Sequence, residues 1–400
     1  MIDRFQALWR PLLDIGRAPG GGYARHGWND ADLACREWFA ERAAERGMTL
    51  DQDRNGNLWA WWGEPGPDAV VTGSHLDSVP NGGAYDGPLG VVSGFLAADA
   101  LRDRGVRPAR PVAVTAFCEE EGARFGVACL GSRLLTGVLH PNRARALTDP
   151  DGVTLAAAMR GAGADPDALG RDEDTLSRIG VFVELHIEQG RALTHLDAPV
   201  GLASTIWPHG RWRFDFTGEA NHAGTTLLGD RRDPMLAFAR TVLAARTAAG
   251  ETGGLATVGR VAVEPNGTNA IPSRVRAWLD ARAADGATLD RLVAAVAAEA
   301  DEAAREDGTG VEVVAESLSP VVQFGAALRD RLAGVLGPVP VLATGAGHDA
   351  GILSGFVPTA MLFVRNPTGV SHAPAEHAPD EDCAAGVAAL ATVLEELACR

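Results

Sequence analysis

The sequence predicts an α/β fold with a mostly parallel sheet, interrupted by a smaller α+β domain. Two short apolar runs, 69–73 and 111–117, read as β-strands, and the stretch 87–104 between them has helical periodicity. A further strand is expected over 180–188. Strands that alternate with helices indicate an α/β core with a parallel sheet. Such sheets bind ligands at the carboxyl ends of their strands, so the residues that follow these runs are candidates for a functional site.

The second half of the chain predicts the interruption. From about residue 211 the elements follow the order β-α-β-β-α-β, which is the pattern of a ferredoxin-like unit. These elements are strand 211–216, helix 234–249, strands 256–263 and 274–283, helix 289–306 and strand 311–316. The α/β order then resumes with helix 324–335, strands 338–342 and 358–364, and helix 380–397. We therefore expect a discontinuous catalytic domain, 1–209 and 321–400, with residues 210–320 inserted.

Composition excludes several classes of protein. The 400 residues are 46% hydrophobic and carry a net charge of −16, which disfavours nucleic acid and anionic membranes as partners. No apolar run approaches the roughly 18 residues of a membrane span, and the segment 1–5 lacks the apolar core of a signal peptide. All 36 basic residues are Arg, which excludes Schiff-base and lysine-base chemistry. These features predict a cytoplasmic protein.

Residues with metal-ligand character follow the first strand. His75 comes just after the run 69–73, and Asp77 lies two residues further on, where its carboxylate can reach the second imidazole nitrogen. Asp86 lies in the glycine-containing segment 81–87, which can turn sharply enough to bring the carboxylate back toward His75. A surface loop in which Asp86 caps the following helix is the alternative interpretation.

Three adjacent carboxylates, Glu119, Glu120 and Glu121, follow the strand 111–117. Carboxylates this close repel one another and raise one another's pKa unless a cation lies nearby. A metal ligand beside a general base is one explanation of the cluster. A solvated acidic loop is the other explanation.

Two more histidines lie in or after later strands. In the strand 180–188, the alternation of side chains places Glu184, His186 and Glu188 on one face and the apolar residues between them toward the core. His372 lies in a turn-rich loop near the C-terminus, where a histidine usually has a structural role. Together the four clusters contain the parts of a two-metal hydrolytic site, namely His and carboxylate ligands, a bridging carboxylate and a base.

The order of these motifs resembles that of the M20 metallopeptidase clan. The resemblance is closer to its amidase/hydantoinase/carbamoylase branch, which includes N-carbamoyl-L-amino acid hydrolases, allantoate amidohydrolases and β-ureidopropionases. The matching segments are 73–78, 86–90, 119–125, 185–190, 218–226, 345–350 and 369–372. The resemblance implies a dinuclear-metal catalytic domain interrupted by a lid and dimerisation domain, and a homodimer formed through that lid.

The resemblance also implies a ligand set for two divalent metal ions per subunit. One ion would be held by His75 and His186 and the other by Glu121 and His372, with Asp86 bridging the two. In related peptidases the position of His186 is usually a carboxylate, so the histidine favours the amidase branch. Zinc is the first expectation for the metal, and this mixed His and carboxylate set also suits Mn, Co or Ni.

The catalytic roles follow from the same resemblance. Glu120 would be the general base that activates the attacking water, and Asp77 would orient His75. His222 matches the lid histidine that reaches a partner subunit's active site and stabilises the oxyanion. Without the resemblance, His222 would be interpreted as a turn histidine in a loop rich in Gly and Thr.

Substrate-binding residues are expected at five further positions. Asn269 and Arg282 match the residues that hold the carboxylate of the substrate, with Gln189 assisting, and a guanidinium suits a carboxylate. The alternative for Arg282 is internal pairing on a solvated strand face. His209 occupies a position where the family more often has a Gly-Gln pair, and we expect it near the substrate. His348 is expected near the pocket without an assigned role.

The expected activity is hydrolysis of a ureido carbon–nitrogen bond in a small carboxylate substrate, either an N-carbamoyl-L-amino acid or allantoate. An aminoacylase, carboxypeptidase or dipeptidase of the M20 clan, which would cleave an acyl-amide or peptide bond, is the first alternative. A metal-dependent binding protein without catalytic activity is an alternative of another class. The presence of a base and a full ligand set argues against it.

Overall fold

A computed structural model describes residues 1–399 as two compact units. The first unit consists of Met1–Ser204 together with the chain from Gln323 onward, and the second consists of Thr205–Val322. The strands, in chain order, are β1 (Thr49–Gln52), β2 (Leu58–Trp62), β3 (Ala69–His75), β4 (Val112–Phe117), β5 (Ile179–Ile187), β6 (Val200–Ile206), β7 (His209–Thr217), β8 (Asn221–His222), β9 (Leu255–Glu264), β10 (Ala270–Ile271), β11 (Arg274–Arg282), β12 (Gly310–Ser319), β13 (Val322–Gln323), β14 (Val341–Thr344) and β15 (Thr359–Val364).

The helices, in chain order, are α1 (Ile2–Leu13), α2 (Asp30–Glu45), α3 (Pro88–Asp103), α4 (Leu130–Thr136), α5 (Pro141–Arg145), α6 (Leu155–Gly161), α7 (Glu173–Leu176), α8 (Ala192–His195), α9 (Pro234–Thr252), α10 (Gly286–Glu306), α11 (Ala326–Leu336), α12 (Asp349–Leu353) and α13 (Asp380–Cys399). Short 3₁₀ turns cover Pro166–Ala168 and Leu228–Asp230. Within the described chain, no helix has both the length and the apolar character that a membrane crossing requires.

The first unit is built on a mixed sheet that is parallel at its centre. Its strands follow the order β1-β2-β4-β3-β5-β15-β6-β13, and β14 pairs with β6. The pairs β3–β4, β3–β5 and β5–β15 are parallel, whereas β1–β2, β2–β4 and β15–β6 are antiparallel. Every residue of β3, β4 and β15 is buried, as expected for parallel strands that are covered on both faces. The predicted α/β core is therefore confirmed.

The two faces of this sheet carry different residues. Alternate apolar side chains, such as Val112 and Val114 of β4 and Leu185 and Ile187 of β5, pack with helices α1, α2, α3 and α13 in one core. The side chains between them, including Glu184 and His186, point to the opposite face, because successive residues of a strand face opposite ways. That face is also buried, so the predicted polar side of β5 is an internal one.

The second unit contains a four-stranded antiparallel sheet with the order β12-β7-β11-β9. Helices α9 and α10 complete the β-α-β-β-α-β order, and they pack with the sheet in a separate apolar core. The buried residues of β11 alternate with half-buried ones along the whole strand. The predicted ferredoxin-like order of elements is confirmed, and the role of this unit as a lid and dimerisation domain stays a prediction.

Two parts of the fold differ from the sequence-based expectation. The N-terminal helices α1 and α2 and the sheet strands β1, β2 and β6 were not predicted. The strand expected over 338–342 is instead β14, which begins at Val341. Pro338 and Pro340 lack the amide hydrogen that a strand interior requires, so regular pairing starts only after the second proline. The carbonyl of Pro340 still accepts a hydrogen bond from the Leu202 amide.

Candidate metal centre

Ligand-type residues meet at the carboxyl ends of the central strands of the first unit. His75 is the last residue of β3, and His186 is the penultimate residue of β5. The acidic residues 119–121 follow β4, and Asp86 lies just before α3. His372 comes from the loop between β15 and α13. Parallel neighbours end at the same sheet edge, which is why residues so far apart in sequence converge here.

Two groups of possible metal ligands share one carboxylate. His75, Asp86 and His186 form the first of these groups, called the first donor group below. Asp86, Glu121 and His372 form the second donor group. Asp86 Oδ1 lies 3.1 Å from His186 Nε2 and 3.5 Å from His75 Nε2. Its other oxygen, Oδ2, lies 3.4 Å from His372 Nε2, which is itself 3.7 Å from Glu121 Oε2. Each oxygen of the Asp86 carboxylate therefore faces a different group.

The two buried imidazoles are oriented through their Nδ1 atoms. His75 Nδ1 lies 3.2 Å from the carbonyl oxygen of Asp77, and His186 Nδ1 lies 2.9 Å from that of Ile187. A carbonyl can only accept, so both Nδ1 atoms carry a hydrogen, and in the neutral imidazole each Nε2 atom presents a lone pair. Both Nε2 atoms and Glu121 Oε1 are buried without a hydrogen-bond partner. This donor set fits a divalent metal ion.

Glycine is required where α3 begins. Gly87 has φ of +84°, and a Cβ at this position would lie 2.4 Å from His75 Nδ1. The backbone before α3 can therefore pass against the imidazole only without a side chain. This close approach brings Asp86, the preceding residue, to His75, as the glycine-containing segment predicted.

Asp77 organises the acidic turn as well as His75. Its Oδ1 atom lies 3.4 Å from His75 Nδ1 and accepts the Glu120 amide at 3.1 Å. Its Oδ2 atom accepts the Glu121 amide at 3.0 Å. The Glu120 carboxylate has Oε2 at 3.6 Å from His75 Nε2, and its Oε1 accepts a hydrogen bond from Cys129 Sγ at 3.1 Å. The predicted base is thus fixed beside the first donor group.

Burial dominates the electrostatics of these carboxylates. It raises the pKa of Glu121 to about 8, and the neighbouring Asp86 carboxylate adds to the effect. Burial also raises the pKa of Glu120 well above its usual range, although His75 opposes the shift. For Asp86 burial acts in the same direction, but His186 and His75 outweigh it and hold the pKa well below its usual value. Bound cations would compensate for this concentration of buried acids.

Gln189 lies inside the cluster. Its amide nitrogen donates to Asp86 Oδ2 at 2.8 Å and to Ser371 Oγ at 3.0 Å, and it lies 3.3 Å from His372 Nε2. The sequence-based prediction assigned Gln189 to substrate binding. In the structure it contacts the carboxylate shared by the two donor groups.

His348 packs behind the first donor group. Its ring centroid lies 4.4 Å from that of His186, and its Nε2 atom is buried without a hydrogen-bond partner. Burial, and next the His186 ring, hold the pKa of His348 well below its usual value, which favours the neutral imidazole. With Glu184 and His186 it forms a further possible ligand group. Glu184 also accepts hydrogen bonds from Ser74 Oγ at 2.7 Å and the Ala350 amide at 2.9 Å.

In the second unit, the structure brings His222 and Asn269 together. His222 in β8 pairs with Ala270 in β10, and the Asn269 carbonyl accepts the Ala223 amide at 3.0 Å. His222 is exposed, and its Nδ1 accepts the Gly224 amide at 3.0 Å. An imidazole that accepts at Nδ1 carries its hydrogen on Nε2, so this atom can donate a hydrogen bond.

Arg282 and His209 lie opposite each other across β11 and β7. Arg282 donates to both carboxylate oxygens of Asp280, at 2.8 and 3.2 Å, which is the internal pairing considered as its alternative interpretation. His209 Nδ1 lies 3.1 Å from the Trp207 carbonyl. Burial lowers the pKa of His209 and the Arg282 charge adds to this effect, although the Trp207 carbonyl opposes it, and the net lowering favours the neutral imidazole.

The contact of Cys129 and the role of Glu119 in the acidic turn were not identified from the sequence, whereas His372 was predicted as a metal ligand. These three residues share an unusual backbone conformation. Glu119, Cys129 and His372 have positive φ values of 52°, 54° and 57°, a conformation that is uncommon for residues other than glycine. The Glu119 carboxylate accepts the amides of Gly27, Arg124 and Phe125 and thereby closes the turn that carries Glu120. The triple-glutamate sequence could have indicated this role, whereas the Cys129 contact depends on tertiary structure.

Comparison with known proteins identifies relatives of this chain. Residues 71–396 match peptidase family M20/M25/M40. The chain is 38% identical over 412 residues to an N-carbamoyl-L-amino acid amidohydrolase of Geobacillus stearothermophilus, with 98% of each chain covered. It is 34% identical to an allantoate amidohydrolase of Escherichia coli, covering 97% of this chain and 96% of that one. A solved amidase of the hydantoinase/carbamoylase family from Burkholderia multivorans has a TM-score of 0.88 at 31% identity, covering 100% of this chain and 98% of that one.

These similarities extend over almost the whole chain. The family match begins within β3, just before His75, and continues past His372, so it includes both donor groups. The match and the donor groups together indicate divalent-metal binding. The protein is a hydrolase of carbon–nitrogen bonds, and it belongs to peptidase family M20/M25/M40.

Proposed function

We propose that this enzyme hydrolyses the ureido carbon–nitrogen bond of a small carboxylate substrate, either an N-carbamoyl-L-amino acid or allantoate. The observation that carries the proposal is the pair of donor groups that share Asp86, with the Glu120 carboxylate fixed beside them. The names of two full-length relatives, an N-carbamoyl-L-amino acid amidohydrolase and an allantoate amidohydrolase, support the choice of substrate class.

Two divalent ions per subunit complete the site in this proposal. His75 and His186 would hold one ion and Glu121 and His372 the other, with the Asp86 carboxylate available to both. The Nε2 atoms of His75 and His186, which are buried without a hydrogen-bond partner, support this arrangement. When bound, such ions supply Lewis-acid polarisation of a carbonyl oxygen and a lower pKa for water. Zinc is the first expectation, and Mn, Co or Ni suit the same donors.

Glu120 is the general base and acid of the proposed reaction. A ureido carbonyl is a poor electrophile, because two nitrogens donate electrons into it, so the attacking water must be deprotonated. Glu120 takes this proton and returns it to the leaving nitrogen. Its position supports the role, since Asp77 holds its amide and Cys129 holds Oε1, which leaves Oε2 directed toward His75.

The second unit supplies residues that recognise the substrate in this proposal. Arg282 and Asn269 bind the substrate carboxylate, with Gln189 assisting, and His222 donates a hydrogen bond to the developing oxyanion. The tautomer of His222, with the hydrogen on Nε2, suits that donation. We further propose that this unit acts as a lid, that two copies of the chain associate through it, and that His209 lies near the substrate.

A metal and substrate panel tests the proposed function. The purified protein is stripped of metal, reloaded with Zn²⁺, Mn²⁺, Co²⁺ or Ni²⁺, and assayed for ammonia release from allantoate and a series of N-carbamoyl-L-amino acids. We expect turnover that depends on the metal and is lost in the Glu120→Gln variant. N-acyl amino acids and dipeptides belong in the same panel. Turnover of these alone would favour an aminoacylase or peptidase, and binding without any turnover would favour a non-catalytic binding protein.

A further inference from the structure

A buried carboxylate outside the proposed ligand set contacts the backbone of the shared ligand. Glu376 Oε1 accepts two hydrogen bonds, one from the Tyr85 amide and one from the Asp86 amide, both at 2.9 Å. The residue is only 4% exposed. Hydrogen bonds from backbone amides to a buried carboxylate are among the stronger ones in proteins, so this contact holds the two peptide groups on either side of Tyr85 firmly.

Glu376 belongs to the same loop as His372, four residues further along the chain. Its amide donates to the carbonyl of Ala373 at 3.1 Å, which places the glutamate in a tight turn directly after the histidine. The carboxylate therefore joins the loop that carries His372 to the loop that carries Asp86. Both loops contribute to the second donor group.

The chain leaves room for this contact at Gly83. A Cβ on Gly83 would lie 2.5 Å from both Cβ and Oε1 of Glu376, closer than non-bonded atoms approach. Only glycine therefore allows the loop before Asp86 to pass over the Glu376 side chain in its present position. The requirement comes from close packing, because Gly83 is not among the residues with positive φ.

We propose that Glu376 is a positioning residue that sets the orientation of the Asp86 carboxylate between the two metal sites. This inference rests on the proposed function, in which Asp86 is the shared ligand. Because Glu376 holds the amide of Asp86 itself, a shift of this contact moves the shared carboxylate directly. The same contact fixes the distance between Asp86 and the loop of His372, so loss of Glu376 is expected to weaken both sites.

Metal affinity measured without any activity assay tests the proposal. Zn²⁺ is titrated against a competing chromophoric chelator in the wild type and in Glu376→Ala, Glu376→Gln and Glu381→Ala. We expect Glu376→Ala to weaken Zn²⁺ binding by about 10- to 100-fold, as is typical when a partner of a ligand is removed. Glu376→Gln keeps an oxygen that accepts the same two amides, so its affinity should stay within about fivefold of the wild type. Glu381 is exposed on α13, and its replacement should have no effect.

A second pair of variants leaves the glutamate intact, in case Glu376→Ala does not fold. Gly83→Ala should displace Glu376 and weaken Zn²⁺ binding in the same direction. Gly334→Ala in α11, where nothing lies within 4 Å of the added methyl group, is the matched control. The melting temperature of each metal-free variant separates general destabilisation from loss of metal affinity.

The outcomes separate this inference from the proposed function. A wild-type protein that binds no divalent ion would overturn both. A wild type that binds Zn²⁺ tightly, with Glu376→Ala or Gly83→Ala binding equally tightly, would overturn the positioning role and leave the proposed function standing. Weakened binding in both, with affinity restored in Glu376→Gln, is the result that the positioning role requires.

Discussion

The proposed functional residues of the two units differ in how firmly the structure holds them. In the first unit, His75, Asp86 and His186 are at most 5% exposed, and the backbone or a neighbouring side chain orients each of them. In the second unit, His222 and Asn269 are exposed; His222 lies in the two-residue strand β8, and Asn269 directly precedes its partner strand β10. The first set is preorganised by burial, whereas the second depends on the conformation of surface loops.

This difference separates chemistry from recognition. A hydrolytic centre needs ligands and a base at fixed distances, and burial with hydrogen bonds provides that rigidity. Residues that contact a substrate as it enters benefit from exposure and mobility. His372 is intermediate, since it belongs to a donor group but has a side chain that is 51% exposed. We expect substitutions in the buried set to abolish turnover and substitutions in the exposed set to alter it by smaller factors.

The largest effect is expected for Glu120→Gln. Glutamine keeps the size of the side chain but cannot take a proton from water, so kcat should fall by about 10³- to 10⁴-fold, near the upper range for general base catalysis. Metal content, measured by elemental analysis after dialysis, should remain that of the wild type. A variant with substantial activity would show that another group is the base. Loss of metal would instead make Glu120 a ligand.

His222→Ala tests the exposed set. If the imidazole stabilises the oxyanion, kcat should fall by about 10²- to 10³-fold with little change in KM, because the interaction exists mainly in the transition state. His195→Ala, at an exposed position at the end of α8, is the matched control and should retain full activity. Equal kcat values for His222→Ala and the wild type would remove His222 from catalysis. The buried set would then be the whole catalytic apparatus.

Arg282→Ala should change binding more than turnover. Loss of a charged pair with the substrate carboxylate is expected to raise KM by about 10- to 100-fold and to leave kcat nearly unchanged. Arg211 also lies near Asp280, at 3.7 Å, and its side chain is 63% exposed, so Arg211→Ala is a control for changes in the local charge. If Arg282→Ala leaves KM unaltered, its pairing with Asp280 is its structural role and the carboxylate site lies elsewhere.

The contrast between the units also explains what could be predicted from the sequence. His75 and Glu121 were found because they follow apolar strand runs, and His186 was found because strand alternation places it on a polar face. A parallel sheet brings the carboxyl ends of these strands together. The ferredoxin-like order was found because the period of its elements is regular. His222, Asn269 and Arg282 carry no such local signal, and they were identified only through the family resemblance.

Other residues depend on tertiary contacts that no local pattern encodes. Glu376 and Cys129 contact the site through hydrogen bonds to residues 290 and nine positions away in the chain. Sequence spacing does not indicate such pairs. The N-terminal helix α1 was also missed, although Phe5 and Trp9 are buried in the main core, since Pro11 interrupts the pattern of a regular helix.

The smallest effect concerns the charged face of β11, which bears Arg282 at one end and a structural charge cluster at the other. Asp215 of β7 accepts hydrogen bonds from Arg213, Arg274 and Arg276. Burial would raise the pKa of Asp215, but hydrogen bonds from Arg276, Arg213 and Arg274 outweigh it and lower the pKa from 3.8 to about 2. That lowering corresponds to at most about 2.4 kcal/mol. Solvent screening of the three arginines, whose side chains are 30 to 37% exposed, reduces the expectation to roughly 1 to 2 kcal/mol.

Asp215→Asn should therefore reduce the free energy of unfolding at pH 7, measured by urea denaturation, by roughly 1 to 2 kcal/mol. Because the folded pKa lies below the unfolded one, the stabilisation is complete above about pH 4 and is lost as the pH falls toward 2. The gap between wild type and variant should consequently narrow at pH 3. Asp301→Asn, which removes an exposed pair with Arg305, should cost less than about 0.5 kcal/mol. If the difference in free energy of unfolding between wild type and Asp215→Asn is the same at both pH values, Asp215 acts through packing rather than charge. The charge cluster around Asp215 would then no longer be a stabilising counterpart of the proposed recognition residue Arg282 on the same strand face.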